Sequence, residues 1–361
     1  MERLDLRKLG PEAEAELRLA GGLAAERGLR VFLVGGAVRD LLLGRPSLDI
    51  DVVVEGDGIA FARVWAGRTG AALRTHPRFG TAVLERPDGT RFDVVTARRE
   101  AYSRPGALPE VHPGTLTEDL YRRDFTINAM AVSILPSNCG ELHDELGGLG
   151  DLRRGVVKVI HANSFVDDPT RILRAIRYEQ RFSFHLSEPT REALKEALQE
   201  DSFASIAPVR YWNEFRRILE EEDPLPALKR LYELGGWWPK GWPPTASRFH
   251  AVEQAAVLLT RYREPLLRRG SILWRVHLAA LLVGLAAREA TGVMTHLGVG
   301  RGDKRKIAEI LQFVAVPVML DATLGSSVLK KASPEALVLA AAIADGDSWL
   351  PVLEREMISR G

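Results

Sequence analysis

The chain has 361 residues, of which 46% are hydrophobic and 27% charged, as expected of a globular protein with two or three compact units. It contains no apolar run near the roughly 18 residues of a membrane span and no signal-peptide pattern, so we expect a cytoplasmic protein without a membrane partner. Its single cysteine, Cys139, excludes an internal disulfide bond and a cysteine-based zinc site. The formal net charge of +1 excludes no class of partner, because a nucleic-acid-binding protein can be neutral overall and basic on one face.

The first predicted element is a surface helix over residues 11–28. Pro11 suits an early helical position, and Leu17, Leu19 and Leu23 are spaced to face a core. No side chain of this helix indicates chemistry.

The central stretch, residues 31–54, predicts a strand, a glycine turn, a short helix, a loop and a second strand. Asp49 and Asp51 lie one residue apart in the second strand, so their side chains point to the same face while the aliphatic residues alternate into a core. Mg²⁺ is normally held by one or two carboxylates together with substrate phosphate oxygens. We therefore predict that Asp49 and Asp51 bind Mg²⁺ with the phosphates of a nucleotide.

A glycine turn precedes these acids. Gly35 and Gly36 allow the backbone to approach a phosphate at a helix start, and Arg39 adds a cation one turn later. A Rossmann site would need G-x-G-x-x-G and an acid about twenty residues further on, whereas the third glycine is absent here. A P-loop is excluded because no G-K-[ST] is present.

The motifs GGAVRD and LDIDVVV together resemble the nucleotidyltransferase superfamily typified by DNA polymerase β. Within it they resemble the class II branch of tRNA CCA-adding enzymes and bacterial poly(A) polymerases. The resemblance implies an α+β fold, with a polymerase-β-like head built on a mixed sheet and an all-helical neck, body and tail. It also implies that Asp49 and Asp51 are catalytic and hold Mg²⁺. Gly35, Gly36 and Arg39 would then bind the triphosphate.

The next elements indicate a mixed sheet rather than a βαβ repeat. A helix is predicted at 57–69 and short strands at 72–74, 81–85 and 90–96, the last two joined by a turn at Pro87-Asp88-Gly89. Asp93 in the last strand fits a solvent-facing position. Because polymerase-β-like sites often take a third carboxylate from a neighbouring strand, the resemblance implies that Asp93 is catalytic beside Asp49 and Asp51.

Residues 97–114 contain prolines and glycines throughout, and we expect an irregular loop that serves as a lid or linker. In the family a flexible loop at this place is associated with addition of the terminal adenosine. The resemblance therefore argues against an enzyme limited to the two cytidines.

Residues 117–128, TEDLYRRDFTIN, begin like a capped helix. An RRD sequence on a helix surface is often a solvated patch, but arginine forks beside a nucleotide triphosphate neutralise phosphoryl charge. RRDFTINAMA resembles the second motif of the family. That motif implies that Arg123 contacts the nucleotide, with Asp124 and Asn128 around the ribose.

Residues 147–160 close the sheet domain and resemble the hinge motif of the family. A helix is predicted over 165–184, with Asp168 as its N-cap and Pro169 as its first residue. By themselves these residues fit an ordinary cap, and the arginines that follow fit exposed helix formers.

The sequence DDPTR at 167–171 resembles the class II motif Glu-Asp-x-x-Arg, with Asp in place of Glu. In the family this motif reads the Watson–Crick edge of the incoming base through a carboxylate and a guanidinium. The resemblance implies that Asp168 and Arg171 choose the base. Arg174 and Arg177 are implied as further nucleotide contacts.

The rest of the chain predicts helices at 191–199, 208–222, 226–234, 251–262, 273–290 and 304–314. Basic residues cluster at 216–217, 261–269, 301–306 and 330–331. A set of cations spread over a helical region suits the phosphates of a folded RNA. We therefore predict that Arg301, Lys304 and Arg305 contact RNA.

We predict a catalytic head over residues 1–150, a helical neck with the base-reading motif over 151–222, and a helical body and tail that binds tRNA over 223–361. The predicted activity adds nucleotides of the 3′-terminal CCA to tRNA from ATP and/or CTP, with release of pyrophosphate and no obligate protein partner. The alternatives are an A-adding enzyme of the same group, a poly(A) polymerase and a non-catalytic RNA-binding relative. The intact Asp49 and Asp51 argue against the last.

Overall fold

The fold is described from a computed structural model, which covers residues 2–46, 49–87, 89–101, 103–237, 242–315, 332–344 and 349–358. The chain divides into two compact units. The first comprises Met1–Arg171 with Phe182–Leu194, and the second comprises Ile172–Arg181 with Lys195–Gly361. The predicted borders of head, neck and body stay predictions.

The first unit is built on a sheet of seven strands. Its elements, two of which continue into the second unit, are α1 (Pro11–Ala25), β1 (Arg30–Val34), α2 (Gly36–Leu42), β2 (Asp49–Glu55), α3 (Gly58–Thr69), β3 (Ala72–His76), β4 (Thr81–Glu85), β5 (Arg91–Thr96), β6 (Arg98–Ala101), β7 (Glu110–Pro113), α4 (Leu116–Tyr121), β8 (Ala131–Ser133), β9 (Leu142–His143), α5 (Gly148–Arg154), β10 (Val156–Val157), α6 (Ser164–Asp167), α7 (Thr170–Arg181), β11 (His185–Leu186) and α8 (Glu188–Gln199). The strand order is β3-β4-β5-β2-β1-β8-β9. β2 and β5 are parallel and the other neighbours antiparallel, which confirms the predicted mixed sheet.

Helices α1 and α3 cover one face of the sheet. Three aliphatic residues of β2 are buried as predicted, namely Ile50, Val52 and Val54. Trp65 of α3 is fully buried, its ring centroid lies 5.0 Å from that of Phe92, and its indole N–H donates to Glu16 of α1 over 2.8 Å. Leu17 and Leu23 of α1 are buried as predicted, whereas Leu19 is only half-buried.

The opposite face of the sheet is apolar at one end and acidic at the other. Asp49, Asp51 and Val53 of β2 point to this face, since side chains alternate along a strand. Val53 packs in a buried cluster with residues of β1 and with Leu116 and Leu120 of α4. Helix α4 therefore covers the same face of the sheet that carries the two acids.

Two sequence expectations in the first unit are wrong. Residues 97–114 are not irregular throughout, because β6 and β7 pair as antiparallel strands with Arg98 opposite Pro113. The helix predicted over 165–184 is two helices, α6 and α7. Asp168 between them is extended, with φ −137° and ψ 93°, because proline at 169 disfavours the helical conformation in the residue before it.

The structure places the RRD motif, residues 122–124, after helix α4 and not on the surface of a helix. Helix α4 begins at Leu116 with a capping box formed by Thr115 and Glu118, and it ends at Tyr121. Arg122 and Arg123 therefore follow the helix.

The second unit is helical, as predicted. After the end of α8 its helices are α9 (Pro208–Leu219), α10 (Leu225–Glu233), α11 (Ala246–Arg261), α12 (Arg263–Arg268), α13 (Trp274–Leu282), α14 (Ala287–Leu297), α15 (Arg301–Val314), α16 (Pro334–Ile343) and α17 (Leu350–Ile358). The single helix predicted over 273–290 is wrong, because Val283 is extended and Gly284 has φ +79° between α13 and α14. The predicted basic pair at 330–331 lies outside the described residues. Among the described residues, no helix combines the length and the apolarity needed to span a bilayer.

Adjacent glycines in α1 provide a test of this packing. A Cβ at Gly21 would overlap the carbonyl oxygen of Ile134, whereas a Cβ at Gly22 would meet no atom within 4 Å. We expect Gly21→Ala to lower the free energy of unfolding by about 1–3 kcal/mol, as overpacking does. Gly22→Ala, the matched control, should raise it by about 0.5–1 kcal/mol because alanine favours the helix. Urea denaturation measures both, and equal values for the two variants would contradict the packing of α1 on this strand end.

Candidate active site

Strand register brings the three predicted acids to one face. Asp51 is paired with Asp93 of β5 in the parallel register and with Val34 of β1 in the antiparallel one, and Asp49 is paired with Arg91. Residues paired across neighbouring strands project to the same side of a sheet. Asp49, Asp51 and Asp93 therefore share a face, as the sequence predicts.

The electrostatics of this face are dominated by negative charge. Burial raises the pKa of Asp51 to about 6, and the nearby charges of Asp93 and Asp49 act in the same direction against the opposing influence of Arg123. Asp93 is held by Arg91, whose Nη2 lies 3.0 Å from its Oδ1. The site concentrates carboxylates beside a smaller number of cations.

The bend at Gly35 lies directly beside Asp51. Gly35 has φ +70° and ψ −131°, a conformation that favours glycine. A Cβ there would lie 2.6 Å from Nη1 of Arg123 and 3.8 Å from Oδ2 of Asp51. Its N–H donates to the carbonyl of Met130 over 3.2 Å, so this amide does not point at a phosphate. The bend, the acid and Arg123 thus lie within reach of one nucleotide triphosphate.

Arg123 is held in place by Asp119, a residue that sequence reasoning missed. Asp119 is fully buried in α4 and accepts hydrogen bonds from Nη2 of Arg123 at 2.9 Å and from Nη2 of Arg122 at 2.6 Å. Burial alone would raise the pKa of Asp119, but Arg123 and Arg122 more than offset it and hold this pKa below its usual value. The signal in the sequence was the spacing of three and four residues, which brings side chains together at a helix.

Arg39 belongs to a second buried group. Its Nη1 donates to Oδ1 of Asn128 over 2.6 Å, and Nδ2 of Asn128 donates to Oδ1 of Asp124 over 3.0 Å. The guanidinium of Arg39 also lies 4.7 Å from the ring centroid of Phe182. Arg39, Asn128 and Asp124 are all buried, so the structure joins three predicted nucleotide-binding residues through hydrogen bonds within the protein. Gly36, at the start of α2, lies next to this group, since a Cβ there would be 3.5 Å from Nη2 of Arg39.

The two predicted base-reading residues are engaged with the protein in this structure. Oδ1 of Asp168 accepts from the N–H of Thr170 at 3.0 Å and from its hydroxyl at 2.6 Å, as expected of a capping residue. Arg171 is 3% exposed, and it donates from Nη1 to the hydroxyl of Ser164 over 2.7 Å and from Nη2 to the carbonyl of Arg122 over 2.9 Å. Arg171 is therefore linked directly to the RRD segment.

The remaining predicted nucleotide contacts lie in the second unit. Arg174 is half-buried on α7. Arg177 is buried, and its guanidinium lies 3.4 Å from a carboxylate oxygen of Glu221 and 4.0 Å from one of Glu214. These ion pairs support a structural role for Arg177, and its nucleotide contact stays a prediction.

The predicted RNA-binding residues lie on the first two turns of α15, also in the second unit. Arg301 and Arg305 are exposed, and Oε1 of Glu309 lies 3.7 Å from Nε of Arg305. Lys304 is half-buried and donates from Nζ to the hydroxyl of Thr295 over 3.2 Å. Two of the three cations thus face solvent.

The acidic face suits a divalent metal ion of the kind that binds oxygen ligands. Within the described part of the chain, no three His, Cys, Asp or Glu side chains are placed to hold a metal by themselves. Mg²⁺ does not need such a cage, because it usually takes one or two carboxylates and completes its shell with water and substrate phosphates. Burial is the main cause of the raised pKa of Asp51, and the neighbouring carboxylates of Asp93 and Asp49 add to it, so a bound cation would favour the charged form of this side chain. Asp49 and Asp51 therefore fit a metal ion that is shared with a bound phosphate.

Comparison with known proteins shows which proteins this chain is similar to. The family model of the poly(A) polymerase head domain matches residues 31–158, which include the acids, the glycine bend and the RRD segment. The A-adding tRNA nucleotidyltransferase of Geobacter sulfurreducens is 47% identical over 221 residues, which cover 61% of this chain and 25% of the relative. The CC-adding tRNA nucleotidyltransferase of Deinococcus radiodurans is 41% identical over 205 residues, which cover 57% of this chain and 53% of the relative.

A solved structure extends the similarity over the whole chain. A CCA-adding enzyme in its apo form matches with a TM-score of 0.79 at 33% identity, covering 100% of this chain and 87% of that one. By contrast, the chain spans between about a quarter and about half the length of the curated relatives that it matches first. The chain belongs to the family of tRNA nucleotidyltransferases, whose head domain is that of the poly(A) polymerases.

Proposed function

We propose that this chain is a tRNA nucleotidyltransferase, which adds AMP and/or CMP to the 3′ end of tRNA and releases pyrophosphate. The observation that carries the proposal is the meeting of Asp51, the Gly35 bend and Arg123 on one face of the sheet. Relatives named for A addition, CC addition and CCA addition support it. A tRNA substrate also agrees with the cytoplasmic location expected from the sequence.

The residues around the bend would hold the triphosphate in line with the attacking 3′-hydroxyl. Because Gly35 has no side chain, the guanidinium of Arg123 can lie beside Asp51. Arg123 would pair with phosphate oxygens and offset the charge that develops on the leaving pyrophosphate. Asp119 fixes the orientation of Arg123 in advance, so that little reorganisation is required during the transfer.

We propose Mg²⁺ as the metal ion, held by Asp49 and Asp51 with Asp93 on the neighbouring strand. When bound, such an ion lowers the pKa of the attacking hydroxyl and stabilises negative charge on the phosphate. The parallel pairing of β2 with β5 keeps Asp93 next to Asp51. The chain thereby keeps the carboxylates of Asp51 and Asp93 on the same face of the sheet.

Asp168 and Arg171 would choose the base, with Arg174 and Arg177 as further nucleotide contacts. An acceptor and a donor fork held at the start of one helix can match the edges of adenine or cytosine. In the structure the fork of Arg171 is bound to Ser164 and to the carbonyl of Arg122. Binding of a base would exchange one of these hydrogen bonds for bonds to the base.

The tRNA would contact cations of the second unit, including Arg301, Lys304 and Arg305. Exposed cations on one helix can neutralise phosphates without reading sequence. Three A-adding enzymes among the relatives, at 39% to 47% identity, favour an A-adding specialist as a second candidate.

Incubation with three tRNAs, ending before CCA, after C and after CC, tests the proposal directly. We expect ATP alone to extend the tRNA ending in CC by a single nucleotide, because the enzyme selects the base and stops when the CCA end is complete. CTP alone on the tRNA that lacks CCA separates a CCA-adding enzyme from an A-adding one. A long adenosine tail on unstructured RNA would indicate a poly(A) polymerase, and no product on any tRNA would leave only a non-catalytic RNA-binding protein.

Asp51→Asn tests the metal assignment. The change keeps the size of the side chain but removes its charge, and we expect nucleotide incorporation to fall by about a thousandfold, since a catalytic metal contributes several kcal/mol. Asp57→Asn is the matched control, because Asp57 is an exposed N-cap of α3 and asparagine caps equally well. Binding of tRNA should stay near the wild-type value in both variants. An Asp51→Asn protein with most of its activity would remove the metal site from this face.

Arg171→Lys tests the base-reading role. Lysine keeps the charge but loses the fork, so we expect the preference for ATP over GTP and UTP to fall by about ten- to a hundredfold. Arg181→Lys, an exposed position at the other end of α7, is the control and should keep the wild-type preference. Thermal denaturation of both variants detects loss of folding. Unchanged selectivity in a folded Arg171→Lys protein would contradict the role.

A further inference from the structure

Strand β6 carries a nearly buried carboxylate that lies between two arginines. The Glu100 side chain is 7% exposed, and its Oε1 lies 3.1 Å from Nη2 of Arg98 and 3.1 Å from Nη1 of Arg122. Arg98 is the first residue of the same strand, whereas Arg122 follows helix α4. Glu100 therefore joins the β6–β7 hairpin to the RRD segment.

Arg122 is fixed from three directions. Its Nη1 is bound by Glu100, and its Nε and Nη2 donate to Oδ1 of Asp119 over 2.9 and 2.6 Å. Its carbonyl accepts the 2.9 Å hydrogen bond from Arg171. A movement of Arg122 would therefore disturb the backbone that anchors Arg171.

Asp119 extends the same connection to Arg123. One carboxylate oxygen of Asp119 accepts from Arg122, and the other accepts from Nε and Nη2 of Arg123 over 3.3 and 2.9 Å. Arg123 in turn lies against Gly35 and Asp51. A chain of contacts thus runs from Glu100 through Arg122 to the predicted triphosphate-binding and base-reading residues.

The charges in this group depend on Glu100. Three guanidiniums, those of Arg98, Arg122 and Arg123, form ion pairs with only two carboxylates, those of Glu100 and Asp119. Burial and the nearby charge of Arg122 lower the pKa of Arg98, so these two cations already repel each other. Without the charge of Glu100, Arg98 and Arg122 would repel each other with no carboxylate between them, and Nη1 of Arg122 would lose its anchor.

We propose that Glu100 is a positioning residue for nucleotidyl transfer, which acts through Arg122 to hold Arg123 beside Asp51 and Arg171 at the start of α7. The inference rests on the proposed function. Glu100 sets the position of groups that meet the nucleotide, and a displacement of about 1 Å in such groups costs up to about a hundredfold in rate.

The test is Glu100→Gln, measured as AMP addition to a tRNA ending in CC. We expect kcat to fall by about tenfold and the preference for ATP over CTP to change, while tRNA binding and Tm stay near wild type. Glu85→Gln, an exposed glutamate at the end of β4 and outside the hairpin, is the matched control and should keep wild-type kinetics. Wild-type kcat and base preference in the Glu100→Gln protein would overturn the proposal.

A double-mutant cycle separates positioning from general loss of structure. We expect Arg122→Gln and the Glu100→Gln/Arg122→Gln double variant to have about the same kcat, because Glu100 acts through Arg122. Additive losses would contradict this route.

If Glu100→Gln does not fold, Glu100→Asp keeps the charge on a shorter side chain, and the proposal then requires a lowered kcat at an unchanged Tm. A wild-type protein that incorporates no nucleotide would defeat the proposed function, whereas an active wild type with an indifferent Glu100 would defeat this inference alone.

Discussion

The candidate site depends on carboxylates gathered on one face of a sheet, with the guanidiniums of Arg91 and Arg123 next to them. Asp51 lies beside Asp49 and Asp93, and its pKa is raised mainly by burial and further by these two neighbouring charges. The guanidinium of Arg123 can lie beside Asp51 because Gly35 has no side chain. The proposed Mg²⁺-nucleotide would therefore meet charged groups that the protein has already positioned.

Two parts of the fold position the carboxylates and the arginines of the candidate site. Neighbouring strands place Asp49, Asp51 and Asp93 by register alone, so this part of the site is as rigid as the sheet. Helix α4 covers the apolar end of the same face and ends where the RRD segment begins, so the arginines reach the acids from a packed helix. Asp119 fixes the orientation of Arg122 and Arg123, because its buried carboxylate accepts hydrogen bonds from both.

The local part of this arrangement was predictable from the sequence, and the long-range part was not. Alternation in β2 predicted which face carries Asp49 and Asp51, and the glycine pair predicted a bend. The contact of Glu100 with Arg122 was not predictable, because these residues are 22 positions apart and meet only in the folded chain. Its contact with Arg98, two residues away on the same strand, follows from strand alternation. Proline at 169 predicts a helix start, but the sequence does not reveal that Asp168 also ends the preceding helix.

The burial of Val53 links the position of the two aspartates to folding, because both depend on the register of β2. Ile50, Val52 and Val54 fill one side of the sheet, and Val53 fills the other beyond the acids. If β2 paired one residue out of step, both aspartates would enter the layer under α1 and α3 while aliphatic side chains took their place. Such a chain would be unstable as well as inactive, so quality control that removes unstable chains would also remove those with a misaligned site.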